Sequence, residues 1–326
     1  MLSLCLYPPL SVPVRAIRVK PSVYPCYKMP PFLHLQHVNV ARGDNVVLHD
    51  INLTIQPGEH IAILGPNGCG KSTLIKTITC ECYPLALPKT KVSIFGRERW
   101  DLTELKKRLG VVSPELPGKP TLHTTGRDAV LTGFFSSSTL WPNLTVTPEM
   151  QTRADQVLEL IRATDLIHKL VGQMSAGQQR RIMIGRALVG SIGLGNASSI
   201  GLGNAGSIGL NNASSIGAGK VGSLGFGNAA SAGMLLLDEP SNALDLAAQR
   251  DLRNLLRELA QQGTGILLIT HHIADIIPEI DRILMMQSGR IYADGPKSEL
   301  LTASNLSKLF QTKVNLAHHE GFQHAW

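Results

Sequence analysis

The sequence has no run of about 18 apolar residues, the least a helical membrane span needs, so the chain is not expected to cross a bilayer by itself. It has no C-x-x-C pair. Its five cysteines stand at 5, 26, 69, 80 and 82, an odd number without zinc or redox spacing, which reads as reduced thiols. It has no sustained heptads, which excludes a long coiled-coil insertion. Charge is almost missing from one stretch: within 187–237 the only charged residue is Lys220. What the 326 residues do hold is 43% hydrophobic and 17% charged, enough apolar matter for a globular core. The net charge of +7 suits phosphate ligands, an acidic membrane surface or nucleic acid, and selects none of them.

The first 28 residues, "MLSLCLYPPLSVPVRAIRVKPSVYPCYK", are apolar but broken by prolines. Their cations (Arg15, Arg18, Lys20, Lys28) follow the apolar part, the reverse of a secretory signal. Residues 1–31 therefore read as an unstructured extension. From Phe32 the pattern becomes regular. "FLHLQHVNV" and "NVVLHDINLTI" alternate like strands of a half-buried antiparallel sheet. "EHIAILG" is a short apolar strand of the kind buried inside an α/β domain. It leads into a glycine loop and a helix over 71–80, and "KVSIFG" and "LGVV" read as further strands. Residues 121–190 are mostly helical, with apolar positions of "MQTRADQVLELIRATDLIHKL" at helical spacing. "MLLLDEP", "LDLAAQRDLRNLLRELAQQG" and "GILLITHH" then give strand, helix and strand, implying a largely parallel sheet.

Two stretches carry chemistry. "GPNGCGKS", Gly65 to Ser72, fits G-x-x-x-x-G-K-[ST]. Its glycines let successive backbone N–H groups turn inward on phosphate oxygens, and the following helix points its positive end at the same anion. In this pattern the lysine, Lys71, reaches the β- and γ-phosphates, and the Ser72 hydroxyl serves Mg²⁺. A glycine turn that binds nothing is the bland alternative, and the strand before and helix after argue against it. "MLLLDEP" supplies the second half. A buried strand ending in Asp238 sets a carboxylate at the C-terminal rim, where ligands of open α/β sheets lie. Asp238 would hold Mg²⁺ through water, and Glu239 would polarise the attacking water.

With these motifs in order, the chain resembles the ABC-type ATPases, the nucleotide-binding subunits of ABC transporters, over about 32–311. "MSAGQQRR", from Met174, is similar to the family signature, and "SNALD" to the D-loop. "LLITHH" is similar to the switch strand. The resemblance implies an α/β P-loop NTPase core with a mixed sheet, an antiparallel β subdomain and an inserted helical subdomain at about 121–190. It implies ATP and Mg²⁺ as cofactors, with Gly65, Pro66, Asn67, Gly68, Cys69, Gly70, Lys71, Ser72 and Thr73 at the nucleotide and Ser72 and Asp238 at the metal. Glu239, His271 and Lys71 would be catalytic. Ser175, Gly177, Gln178 and Asp245 would act in trans, across a head-to-tail homodimer or paired ATPase subunit. The partner would be a membrane permease, holding the chain on the cytoplasmic face; no nucleic acid is expected. The C-terminal "GRIYADGPKSELLTASNLSKLF" looks like importer ATPases for metal complexes.

Three departures stand out. Ala176 replaces a glycine of the signature. Arg42 stands where an aromatic normally stacks on adenine, and a guanidinium plane can stack too. The family's glutamine after "LGVV" falls by spacing on Pro114, so Glu115 or Ser113 would have to stand in, or coupling is altered. The resemblance also leaves two rivals: a soluble ABC ATPase serving translation or repair, and a nucleotide-binding module with impaired hydrolysis. Between "RALV" and "MLLLDEP" lies an octad repeat starting at Ser191, Ser199, Ser207, Ser215 and Ser223. Its glycine makes backbone ordering costly and it offers little apolar bulk, so 190–233 reads as a disordered insertion rather than a stacked solenoid. Residues 312–326 read as a surface tail, in which His318, His319 and His324 lack the further ligands a metal site needs.

Overall fold

The computed structural model describes residues 30–106, 108–113, 115, 117–191, 233–319 and 321–326. Pro114, the octads from Ile192 to Ser231 and most of the N-terminal extension lie outside these residues. Among the described residues, no helix is long and apolar enough to cross a membrane.

The chain opens with β1 (Leu33–Arg42) and β2 (Asn45–Ile55), an antiparallel pair that β4 (Lys91–Ile94) joins on the far side of β1. The expected alternation holds only in halves. Leu35 and Val38 are both buried, so the pattern slips between them. The slip is a bulge on each strand, with His37 and Asp50 in the left-handed region at φ +50° and +51°. Their side chains meet, His37 Nδ1 to Asp50 Oδ1 at 2.7 Å, and Asn39 and Asn52 satisfy the two bulged amides.

The second sheet has six strands in the order β5-β6-β7-β3-β8-β9. These are β3 (His60–Leu64), β5 (Leu109–Val112), β6 (Met234–Asp238), β7 (Gly265–Thr270), β8 (Arg282–Gln287) and β9 (Arg290–Pro296). All pair in parallel except β9, which returns antiparallel on β8. The central strands read as continuous apolar runs because both faces are covered. Met234 and Leu236 face a core shared with β1 and β2, while Leu235 and Leu237 face a helical core. The β8–β9 hairpin is an addition to the sequence reading. Its turn, Ser288-Gly289, has both φ angles positive (+47° and +72°), the geometry of a two-residue type I′ turn.

Helix α1 (Lys71–Ile78) follows β3, and the short α2 (Leu102–Lys106) precedes β5. Between β5 and β6 lie α3 (Lys119–Leu122), α4 (Gly126–Leu131), α5 (Pro148–Leu160) and α6 (Ala176–Ser191), the helical subdomain of the expected fold class. Helix α7 (Leu246–Gln261) joins β6 to β7 and buries Leu252, Leu255, Leu256, Leu259 and Ala260, one stripe at 3–4 spacing. The short α8 (Lys297–Leu300) and α9 (Ala303–Phe310) follow β9. Residues beyond 311 close into a hairpin of β10 (Leu316–His319) and β11 (Phe322–Ala325). Phe322 packs beneath the guanidinium groups of Arg253 and Arg257 on α7. His318, His319 and His324 lie on this hairpin, and no group of three or more potential ligands is gathered among the described residues.

Candidate functional site

Parallel pairing decides where the site forms. Ile63 of β3 and Asp238 of β6 both pair with Ile269 of β7, one on each side. Strands lie about 4.8 Å apart, so the two outer strand ends stand about 10 Å apart on the same rim. The loop after β3, the acids after β6 and His271 after β7 therefore meet at one edge of the sheet. This is the convergence that the two sequence motifs require.

The loop after β3 is shaped for close approach. Gly68 and Gly70 have φ of +79° and +104°. A side chain at Gly65 would strike the Met286 carbonyl oxygen, 2.5 Å from a Cβ there. Lys71 is buried, and its ammonium donates to the carbonyls of Gly65 (2.6 Å) and Pro66 (3.0 Å). No side chain caps α1 and its first turn holds no acid, so its positive end is left for an anion. Asn67, Gly68 and Ser72 are exposed, Pro66 is half-buried, and Gly65, Cys69, Gly70 and Thr73 are buried. Burial pushes the Cys69 thiol up, so it is a packed neutral group.

The two acids after β6 are in contrasting states. Burial, aided by the charge of Glu239, raises the Asp238 carboxyl to about 6, while Lys71 pulls the other way. Burial also opposes ionisation of Glu239, but hydrogen bonds from His271 and Asn242 outweigh it and hold that carboxyl below its ordinary value. His271 Nδ1 stands 2.9 Å from one Glu239 oxygen, and the Asn242 amide donates to the other at 2.6 Å. Glu239 has φ +44°, an unfavourable conformation for a residue with a side chain, of the kind found where function fixes a group. Behind it, Thr270 and Ser241 both donate to the buried Asp275 carboxylate, tying the loop after Glu239 to the segment after His271. The Ser241–Asp275 bond escapes sequence reading because no spacing links groups 34 residues apart that meet only in the fold.

Other expected residues lie apart from this rim cluster. Arg42 is exposed at the end of β1, where it pairs in register with Asn45. Ser175 and Gln178 are occupied in a reciprocal capping box on α6: Gln178 N donates to Ser175 Oγ (3.3 Å) and Ser175 N to Gln178 Oε1 (3.1 Å). Lys169 donates to the same Gln178 oxygen. Gly177 lies against α7, where a Cβ would come 2.7 Å from that of Ala248. Asp245 caps α7, accepting from Ala248 N at 2.8 Å, beside Leu246, which is 83% exposed. Helix α6 also donates through Arg180 to the Ser113 carbonyl, in the loop that follows β5. Beside that loop a cavity of about 420 Å³ is lined by Leu105, Val111, Ser113, Glu115, Met183 and Arg186.

Known proteins are similar to this chain in sequence and in fold. The family model described as ABC transporter matches residues 48–194. A hemin import ATP-binding protein of Hahella chejuensis is 29% identical over 294 residues, covering 88% of this chain and 95% of its own length. An uncharacterised ABC transporter ATP-binding protein of Lactococcus lactis is 26% identical, with the same coverage of both chains. An ATP-binding cassette of an ABC transporter, solved in its ADP conformation, superposes with a TM-score of 0.65 at 21% identity, covering 86% of this chain and 98% of its own.

Proposed function

We propose that this chain is an ABC-type ATPase, the ATP-binding subunit of an ABC transporter, and that its residues divide the work as follows. ATP lays its phosphates on residues 65–73, with the inward N–H groups and the α1 terminus answering their charge. Lys71 leaves the loop carbonyls for the β- and γ-phosphate oxygens. Ser72 and Asp238, a hydroxyl and a carboxylate, are hard oxygen donors that fit Mg²⁺, which when bound neutralises charge developing on the phosphates. Glu239 holds the attacking water, and His271, hydrogen-bonded to it, faces the same phosphate. Arg42 lies under the base.

The reading continues to a head-to-tail dimer. Ser175, Gly177, Gln178 and Asp245 reach the nucleotide of the second copy, and the exposed Leu246 lies in that seam. Closure on ATP and opening after hydrolysis drive a membrane permease, which seats beside the cavity at Ser113 and Glu115 and keeps the chain on the inner face of the membrane. The hemin import relative supports an importer. Residues 32–311 act as the ATPase unit, with 190–233 as an insertion in it.

The observation that carries this is the shared rim: Lys71 lies within electrostatic reach of both Asp238 and Glu239. Glu239→Gln tests the roles. It should bind ATP as the parent does and turn over slower by about two orders of magnitude or more, measured as phosphate release. Parental turnover in that variant would remove Glu239 from the chemistry.

A further inference from the structure

The phosphate loop has a back wall that none of its own motif residues supply. Gly289, at the turn between β8 and β9, is buried and sits between the loop and β2. Its N–H donates to the Cys69 carbonyl at 2.9 Å, and its carbonyl accepts from His49 N at 2.8 Å. The same turn crowds the loop elsewhere. Gly70 has Gly289 Cα 3.5 Å from where its Cβ would be, and Gly65 meets the Met286 carbonyl just before the turn.

We infer that Gly289 is a positioning residue for ATP binding: its amide pins the Cys69 carbonyl away from the phosphate cradle. A peptide group that turned the other way would set a carbonyl oxygen against phosphate oxygens and withdraw the adjoining N–H. The pin also ties the loop to β2, and so to the hairpin that carries Arg42. Only glycine serves here. At φ +72° a side chain is strained, and its Cβ would lie 2.0 Å from the Val47 carbonyl oxygen. The inference rests on the reading of residues 65–73 as the phosphate loop.

The test compares Gly289→Ala with Gly263→Ala. Gly263 is also left-handed, at φ +91°, but has open space where the methyl would go and stands in the turn between α7 and β7, away from the loop. Titration with a fluorescent ATP analogue should show Gly289→Ala binding about tenfold or more weakly, the scale of one lost buried hydrogen bond, while Gly263→Ala binds as the parent. Parental binding by Gly289→Ala, or equal losses in both variants, overturns the inference. Should Gly289→Ala not fold, hydrogen exchange on the unaltered protein decides. The amides of Gly289 and His49 should slow when ATP is added although neither touches it, and unchanged exchange overturns the pin. Lys71→Ala separates the two levels. If it binds ATP normally, the loop reading itself fails; if it loses ATP while Gly289→Ala keeps it, only the pin fails.

Discussion

A single backbone angle shows how much this site asks of one residue. Glu239 holds φ +44° while hydrogen-bonding His271 and Asn242, so both its main chain and its carboxylate are fixed before any nucleotide arrives. Lys71, Asp238, Glu239 and His271 are legible in the sequence because each sits inside a motif or at a strand end, where position in the fold follows from position in the chain. Gly289 and Asp275 are not. Their importance comes from neighbours more than 30 residues away, and no local pattern marks them. His60, at the start of β3, is a different case. Burial lowers its pKa below 6.5, against the pull of Asp281 and Glu279, so the folded protein holds it neutral. A group whose folded pKa is depressed binds more protons when unfolded, so this contribution is present above pH 6.5 and is lost as pH falls below it. Asp238, raised to about 6, works the opposite way over the same interval, so the His60 contribution is read by difference: from pH 7 to 5 the urea midpoint of His60→Phe should fall less, or rise more, than that of the parent. Equal slopes in the two proteins would show that another group is responsible.

At the scale of elements, strands and helices follow the periodicity of the sequence where the core covers them on known sides. Apart from His60, Asp238 and Thr270 at their ends, β3, β6 and β7 hold no polar side chain because each is buried on both faces, and α7 shows an unbroken stripe. The reading falters at β1 and β2, where paired bulges shift the register and side-chain hydrogen bonds decide the path. It misses β8 and β9 because "RILMMQ" is a short apolar run that could equally be a buried helix segment. The signature of α6 carries two meanings at once: Ser175 and Gln178 cap the helix within this chain, and the proposed dimer asks the same residues to face a second nucleotide. Ser175→Ala should therefore lower stability by about 1 kcal/mol through the lost cap. It should also reduce turnover far more than ATP binding. A stability loss with turnover intact would leave Ser175 as a cap alone.

Across the whole molecule, the order of the six strands gathers groups from residues 65 to 271 on one rim, and this could be foreseen from the alternation of strands and helices. The octad segment stands out from that alternation in the sequence and lies outside the described residues. Met234, just beyond it, pairs with Leu109 and Gly265 at the start of β6, while Asp238 ends the same strand. Replacing 193–230 by a short glycine–serine linker should leave ATP affinity and turnover unchanged, since loop closure depends only weakly on length. A large loss of turnover in the shortened chain would mean that the segment takes part in catalysis. The polarity of β6 has a wider consequence. Its entry and exit lie about 13 Å apart on opposite borders of the sheet. The acids stand at one border, and sequence joined at the other enters the sheet a full strand length away from them.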